Sequence, residues 1–309
     1  MRKPLAFLDK MIASQLSMNI WSDVYGLARS LLALSTLLTL LCNNSYTLFK
    51  PFAGGTDECI SCLGIARYSI FCLFPIPVSK GISIVILFFV LIGYLPRVFA
   101  FFHVWVTTSL MLTALLVDGG DQVVTVLSVL LLPIALTDTR KWHWSNYVKE
   151  NTNKFSSLIA SSTWLIIRLQ VALIYFESCV GKFKTTEWAN GTALYYWFSN
   201  AQFGLPKPVL NIFIPVLASS FGVVILTWLV LIFEALLFLG INMNKKYRGY
   251  LLVAGICFHF SIFLVHGLPT FFLSMTAALI LFLRPPDQFF NFENKLPFLS
   301  QNNKSKIAF

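Results

Sequence analysis

Two ionisable side chains stand at the end of an apolar run in the segment LIYFESCVGKFKTTEWANGTALYYW, residues 173–197. They are Glu177 and Lys182. Burial favours the neutral amine of a lysine, which can then act as a base or a nucleophile. Alternatively, Lys182 is an interfacial lysine whose ammonium stays in water beside an aromatic belt that includes Trp188. Both interpretations are open on these residues alone.

The spacing of Glu177 and Lys182 separates them on a helix. Five residues correspond to about 140° of rotation, so the two side chains do not form an i,i+4 pair unless Gly181 breaks the helix. Each side chain is therefore expected to find its partners on other helices or in water.

Two histidines, His259 and His266, fall in a later apolar run. Seven residues separate them, which places both rings on nearly the same helix face. Either neighbouring hydroxyl and carbonyl groups satisfy both rings, or the histidines belong to a line of ionisable groups that leads to the outer surface.

Other polar side chains interrupt the apolar runs, where a charged group costs roughly 2.5–3.5 kcal/mol on insertion scales. The candidates are Arg29, His103, Arg168 and Glu234. Arg29 and Arg168 are both predicted to lie near a cytoplasmic helix end. From there the Arg168 guanidinium can extend to the interface.

The six cysteines include one Cys-x-x-Cys pair, Cys59 and Cys62. The topology given below places this pair in an outside loop, where oxidising conditions allow a disulfide. A structural disulfide is favoured over a redox-active pair because no thioredoxin-like pattern surrounds it. The other four cysteines are interpreted as small apolar fillers, and no metal site is expected.

The elements that must position these residues are membrane helices. Hydrophobic residues make up 57% of the chain and charged residues 12%, and the mean hydropathy is +0.75. Such a composition indicates an integral protein of the cell membrane, because it leaves too little polar surface for a soluble globule. The net charge of +10 falls in short clusters between apolar runs, which argues against nucleic-acid binding.

The hydropathy pattern predicts an all-α bundle of eight transmembrane helices, with membrane lipid around it. The predicted spans cover about 24–41, 82–96, 98–117, 122–137, 161–181, a part of 208–240, 249–266 and 268–284. Prolines at the start of the 208–240 run make it the best place for a broken helix.

Basic residues near span ends mark the cytoplasmic side of a membrane protein. They favour both termini inside, with a transmembrane domain over 1–286 and a short tail over 287–309. Two outside turns carry no basic residue, namely DGGD, which contains Asp118 and Asp121, and HGLP at 266–269.

The segment from Tyr175 to Gly191 resembles the signature of the HTTM family, the transmembrane module shared with vitamin K-dependent gamma-carboxylases. In that signature a Tyr-Phe pair is followed by a lysine, a tryptophan and a glycine, here Tyr175, Phe176, Lys182, Trp188 and Gly191. Three other features agree with the family: Arg29, the turn that contains Gly120 and Asp121, and Phe258 followed by His259.

This resemblance implies that Lys182 is a base, since the matching lysine of the carboxylases is regarded as the base for vitamin K hydroquinone. Only about 25 residues follow the last span, so the extramembrane domain with which the carboxylases hold a propeptide has no counterpart here. Glutamate carboxylation is therefore not expected, whereas use of a quinone cofactor stays open.

Within the family the whole chain is most similar to multi-pass subunits that act with a smaller partner protein to mature a secreted toxin peptide. The resemblance implies an outer cavity for the precursor peptide, lined by Lys182, Glu177 and His266 with His259 deeper. Cleavage, modification and mere presentation of the peptide stay open, as does enzymatic activity itself. The alternatives are a peptide transporter or immunity-type receptor with a polar path through Glu234, Arg29 and His259, and a quinone-dependent enzyme.

Overall fold

The computed structural model of the chain describes residues 19–49, 62–145 and 153–288. Regular structure in these residues is helical, apart from a single β-bridge between Tyr94 and Trp142, which confirms the all-α class. The helices are α1 (Asp23–Cys42), α2 (Ser45–Phe49), α3 (Ile70–Leu73), α4 (Ile76–Ile92), α5 (Pro96–Thr113), α6 (Gly119–Thr137), α7 (Lys154–Lys182), α8 (Thr186–Ala189), α9 (Ala193–Ser199), α10 (Lys207–Leu217), α11 (Ser220–Leu239), α12 (Lys245–His266) and α13 (Pro269–Leu283).

Each of the eight predicted spans coincides with one or two of these helices. Five of the described helices are long and apolar enough to cross a membrane, namely α1, α6, α7, α11 with the turn after it, and α12. Helices α4, α10 and α13 are apolar but shorter. The 208–240 run is broken as expected, because Ala218 and Ser219 separate α10 from α11 and the Ser219 side chain caps α11.

Helices α4 and α7 begin furthest ahead of their predicted spans. Helix α4 begins at Ile76 and includes Lys80, whose Nζ donates to the Asn43 carbonyl at 2.7 Å. Helix α7 begins at Lys154, where the Asn153 side chain accepts a hydrogen bond from the Phe155 amide. Polar residues near the start of both helices lower the local hydropathy. The hydropathy pattern therefore did not assign these first residues to the spans.

Helix α13 lies at the centre of the bundle. Residues 274–283 are all buried, and the helix packs against α1, α6, α7 and α12. Its 15 residues span about 22 Å, which is less than the roughly 30 Å of a bilayer hydrocarbon core. Protein rather than lipid therefore covers most of this helix.

A second apolar cluster joins the C-terminal half of α1 to helices α2 to α5. At its edge a disulfide joins Cys62 to Cys72, ten residues apart. Cys62 thus pairs with Cys72 and not with Cys59 as predicted. The interpretation of Cys72 as a small apolar filler is therefore also wrong. The Ile70 amide donates to Ser109 Oγ, which docks α3 on α5 and brings Cys72 to Cys62. Cys59 lies outside the described residues.

The segment 138–145, which follows α6, is tied together by a buried ion pair that the sequence reading missed. Asp138 accepts from Arg140 Nε and Nη2, each at 2.9 Å, and Arg140 Nη1 donates to the His143 carbonyl. The His143 amide donates to the Gly93 carbonyl at 3.0 Å. The segment is thereby fixed against the turn between α4 and α5.

The His143 ring is fully buried beside α1. Arg29 Nη1 lies 3.4 Å from His143 Nδ1, and because a guanidinium only donates, Nδ1 is the acceptor. His143 Nε2 then carries the proton and lies 3.4 Å from Ser30 Oγ, which donates to the Leu91 carbonyl. This chain of hydrogen bonds requires a neutral imidazole.

We expect folding stability to fall below neutral pH because of His143. Burial, together with the charges of Arg29 and Arg140, holds the pKa of His143 well below its usual range. The unfolded chain takes up the proton near pH 6.5 and the folded chain does not, so this contribution is complete above pH 6.5 and is lost as the pH falls.

Thermal unfolding in detergent at pH 7.5, 6.5 and 5.5 measures this loss. One proton is worth about 1.4 kcal/mol per pH unit, or about 3 °C in Tm for a chain of this size. The His143→Gln variant should show a flatter dependence between pH 6.5 and 5.5. Equal slopes for the variant and the wild type would assign the pH dependence to other groups.

Candidate functional site

A large cavity opens among α6, α7, α11, α12 and α13 and the segment 186–203. Its volume is about 1580 Å³. The start of α6, the end of α7, the end of α12 and the start of α13 all contribute to its wall, so it lies at one end of the bundle. Most of the lining side chains are apolar or aromatic. All four side chains predicted to line one cavity do so: Glu177, Lys182, His259 and His266.

Lys182 forms an ion pair in the cavity wall with Glu234 of α11. Its Nζ lies 2.7 Å from Glu234 Oε1 and 2.8 Å from Oε2. The Glu234 side chain is 8% exposed and that of Lys182 is 22% exposed. Lys182 was expected to find its partner on another helix or in water, and Glu234 on another helix is that partner.

Ser178 completes this cluster from one turn earlier on α7. Lys182 Nζ donates to Ser178 Oγ at 2.6 Å, and Ser178 Oγ donates to Glu234 Oε1 at 3.1 Å. Helix α7 continues through Gly181 to Lys182, so the regular helix holds Ser178 and Lys182 on one face. The hydroxyl thus lies between an ammonium and a carboxylate.

The residues of the signature after Lys182 fold back over the pair. Trp188 lies in α8 with its ring centroid 5.3 Å from Lys182 Nζ, a cation–π contact. Gly191 has a φ of +78°, and a Cβ at this position would lie 3.1 Å from Val224 Cα of α11. The glycine therefore lets the chain pass close to α11 and keep Trp188 over Lys182.

Tyr175 and His259 form a second polar contact, deeper in the wall. Tyr175 Oη lies 2.9 Å from His259 Nε2, and both residues are buried. His259 Nδ1 is buried and has no hydrogen-bond partner among the described residues. One nitrogen of a cavity-lining imidazole is therefore left for a ligand or a water molecule.

His266 fixes the rim of the cavity. Its Nδ1 lies 2.7 Å from the Phe203 carbonyl, so Nδ1 carries the proton and donates it. The rings of Trp197 and Phe198 pack edge-on against the imidazole. The histidine holds the segment after α9 against the end of α12.

The remaining predicted residues separate into two groups. Glu177 lines the cavity, is exposed, and does not pair with Lys182. Asp118 lies at the cavity edge, where it and Asp121 accept hydrogen bonds from each other's backbone amides and cap α6. Arg29 does not line the cavity; it contacts His143 instead. The structure therefore does not join Arg29 to Glu234 and His259 in one polar path.

The polar cluster has a limited set of chemical capacities. An ammonium only donates hydrogen bonds, so paired Lys182 can stabilise negative charge on a carbonyl oxygen. Lys182 can act as a base only after it passes a proton on, and the Glu234 carboxylate is in reach to take it. Ser178 Oγ lies within hydrogen-bond distance of both Lys182 Nζ and Glu234 Oε1, as an activated nucleophile requires. Among the described residues no group of three or more His, Cys, Asp or Glu side chains could hold a metal ion.

Sequence reasoning assigned no role in the site to Ser178 or Tyr175, and it did not find the pairing of Glu234 with Lys182. Ser178 and Tyr175 share the helix face of Lys182, which was visible as i,i+4 and i,i+7 spacing. Glu234 stood out as an acidic residue in an apolar run, but its pairing with Lys182 depends on how α7 and α11 pack. No local pattern encodes that contact.

Comparison with known proteins shows two relatives in Bacillus subtilis (strain 168). The chain is 40% identical over 276 residues to sporulation-delaying protein SdpB, covering 87% of this chain and 84% of SdpB. It is 37% identical over 299 residues to the uncharacterized protein YitO, covering 94% of this chain and 95% of YitO. No protein-family model and no solved structure match the chain, so membership of the HTTM family stays a prediction. The identity along most of both chains shows that this protein belongs to the family of SdpB.

Proposed function

We propose that this protein is the membrane component of a system that matures a secreted toxin peptide, and that it acts with a smaller partner protein on the precursor. The relationship to SdpB supports a role in a sporulation-delaying toxin system. The observation that carries the proposal is the cavity of about 1580 Å³, whose apolar walls enclose the Lys182–Glu234 pair. Such a cavity suits an apolar peptide with a backbone carbonyl at the ion pair.

The proposed arrangement has eight spans over residues 1–286 and both chain ends in the cytoplasm, with 287–309 as a tail. The distribution of charge around the bundle supports it. Arg168, Arg248 and Arg284 gather where α12 begins and α13 ends, whereas the cavity lies at the other end of these two helices. The positive-inside rule then turns the cavity outward, where a secreted precursor is met.

We propose that the peptide lies along the aromatic rim and reaches Lys182 from there. Tyr196, Trp197 and Phe203 line the cavity and are exposed enough to contact an incoming chain. Lys182 and Ser178 then act on a peptide carbonyl, while the free Nδ1 of His259 orients a second polar group. Glu177 supplies an exposed carboxylate at the cavity wall.

Site-specific photocrosslinking tests whether the precursor enters the cavity. Tyr196 lines the cavity and the adjacent Tyr195 does not, although both are exposed tyrosines of α9. A benzoylphenylalanine at position 196 should crosslink the coexpressed precursor at least about tenfold more strongly than one at position 195. Crosslinked and mature peptide are followed by mass spectrometry of membranes and medium, with the partner protein present.

Equal crosslinking at both positions would contradict a peptide site in the cavity. Precursor that accumulates inside the cell, with no crosslink to position 196, would favour the transporter interpretation. A mature peptide that forms normally in cells lacking this protein would remove the maturation role itself.

A further inference from the structure

A second, small pocket lies at the end of the bundle opposite the cavity. Its volume is about 100 Å³, and it forms where α12 begins, α13 ends and the middle of α7 passes. Four basic side chains line it with one carboxylate: Arg168, Lys245, Arg248, Arg284 and Asp287. The excess of positive charge among the lining residues favours a bound anion.

The position of the basic residues on α12 adds to this imbalance. Lys245 and Arg248 fall in the first turn of α12, where the helix dipole disfavours cations and favours anions. Asn244 at the N-cap makes no side-chain cap hydrogen bond, so the first amides of the helix are left without that partner. Both features suit an anion bound at this helix start.

Two buried hydrogen-bond donors belong to residues that line the pocket. Trp164 is 4% exposed, and its Nε1 has no hydrogen-bond partner among the described residues. Arg248 Nε is buried without a partner in the same set of residues. A buried donor without an acceptor is destabilising, so an acceptor bound at this place would stabilise the fold.

Arg168 is held in position by backbone carbonyls. Its Nε donates to Phe282 at the end of α13 and its Nη2 to Ile241 in the turn after α11. The guanidinium thus joins three helices and presents its charge to the pocket. The sequence predicted only that the Arg168 side chain extends to the interface. It did not predict these two hydrogen bonds to backbone carbonyls.

We propose that this pocket binds a phosphate group. The hydrogen-bond donors to it come from Arg248, Lys245 and Trp164. The small volume suits a single phosphate rather than a drug-sized molecule, for which pockets of roughly 300–1,000 Å³ are usual. In a membrane bundle, basic pockets between helix ends bind the headgroups of anionic phospholipids, and inorganic phosphate has the same chemistry. The proposal is independent of the function of the large cavity.

Thermal unfolding of the full chain in detergent tests the proposal in three arms. Phosphatidylglycerol, phosphatidylcholine or inorganic phosphate is added to the wild type, to a Lys245→Gln/Arg248→Gln double variant and to a matched control. The control is Arg97→Gln/Lys246→Gln, which removes the same charge from exposed residues that do not line the pocket. The double variant relieves repulsion, so without lipid it should melt no lower than the wild type.

A phosphatidylglycerol headgroup in the pocket should raise Tm of the wild type and the control by about 5 °C near saturation and leave the double variant unchanged. An equal increase with inorganic phosphate, again absent in the double variant, would support the site with free phosphate as its ligand. Equal increases with phosphatidylcholine, or an increase that persists in the double variant, would overturn the proposal.

Discussion

The Lys182→Arg variant should lose at least about 100-fold in secreted mature peptide while it inserts and folds like the wild type. Arginine keeps a positive charge opposite Glu234, so the ion pair at 2.7 Å is retained in kind. Arginine does not give up its proton in proteins, so it cannot act as a base. General acid–base catalysis is typically worth about 10²–10⁴-fold, which sets the expected loss. The measurement is mass spectrometry of the medium, normalised to the level of the protein in membranes.

The Arg variant is a cleaner probe than Lys182→Ala. Loss of the ammonium leaves the nearly buried Glu234 carboxylate without its counter-ion, and breaking a buried pair costs about 3–5 kcal/mol, less where water reaches the site. Lys182→Ala therefore mixes a chemical loss with a folding loss. The matched control is Lys184→Ala, because Lys184 is exposed and does not line the cavity.

Full maturation by Lys182→Arg would show that Lys182 acts through its charge alone. Full maturation by a stably inserted Lys182→Ala would remove any chemical role for this residue. A loss in the Lys184→Ala control equal to that in Lys182→Arg would point to a general effect of charge at the end of α7.

The Gly93→Ala variant should be destabilised by about 3 kcal/mol, because the added methyl group meets both a backbone cost and a steric clash. Gly93 ends α4 with a φ of +82°, a conformation that costs other residues about 1–2 kcal/mol. The added Cβ would also collide with the His143 ring, and overpacking costs about 1–3 kcal/mol. The ring cannot withdraw easily, since Arg29 and the Gly93 carbonyl hold His143.

Two other glycines separate these costs. Gly64 has a φ of +57° with open space around it, so Gly64→Ala isolates the backbone cost of about 1–2 kcal/mol. Gly81 lies inside α4 with nothing within 4 Å, so Gly81→Ala should be stabilising by up to about 1 kcal/mol. Thermal unfolding in detergent ranks the three variants. A Gly93→Ala variant no less stable than Gly64→Ala would mean that the His143 contact has little energetic weight.

The sequence predicted the all-helical class and a helix at each of the eight proposed spans, because a long apolar run is visible in the local sequence. It also predicted that Lys182, Glu177, His259 and His266 would line one cavity, which the structure places together. Their partners depended on packing and could not be read locally. Glu234 meets Lys182 across 52 residues of chain and His259 meets Tyr175 across 84.

The errors arose where the local sequence did not show which contact forms in the fold. The Cys-x-x-Cys spacing suggested a small ring, whereas the docking of α3 on α5 brings Cys72 to Cys62. His143 was not singled out from the sequence, because nothing near it in sequence shows that its ring packs against Arg29 and Gly93. Arg29 was read as an interfacial residue, although it is 2% exposed and contacts His143.

Ribosomes deliver a chain from its N-terminus, so α13 emerges after the helices that surround it. Helices α1, α6 and α7 therefore enter the membrane before the helix on which they will pack exists. Gly267 and Leu268 alone separate α13 from α12, so the two arrive as a hairpin. Phe271 and Met275 of this hairpin form part of the cavity wall. Nascent chains that still lack the hairpin therefore have an incomplete cavity wall, and the centre of the bundle is the last part to be added.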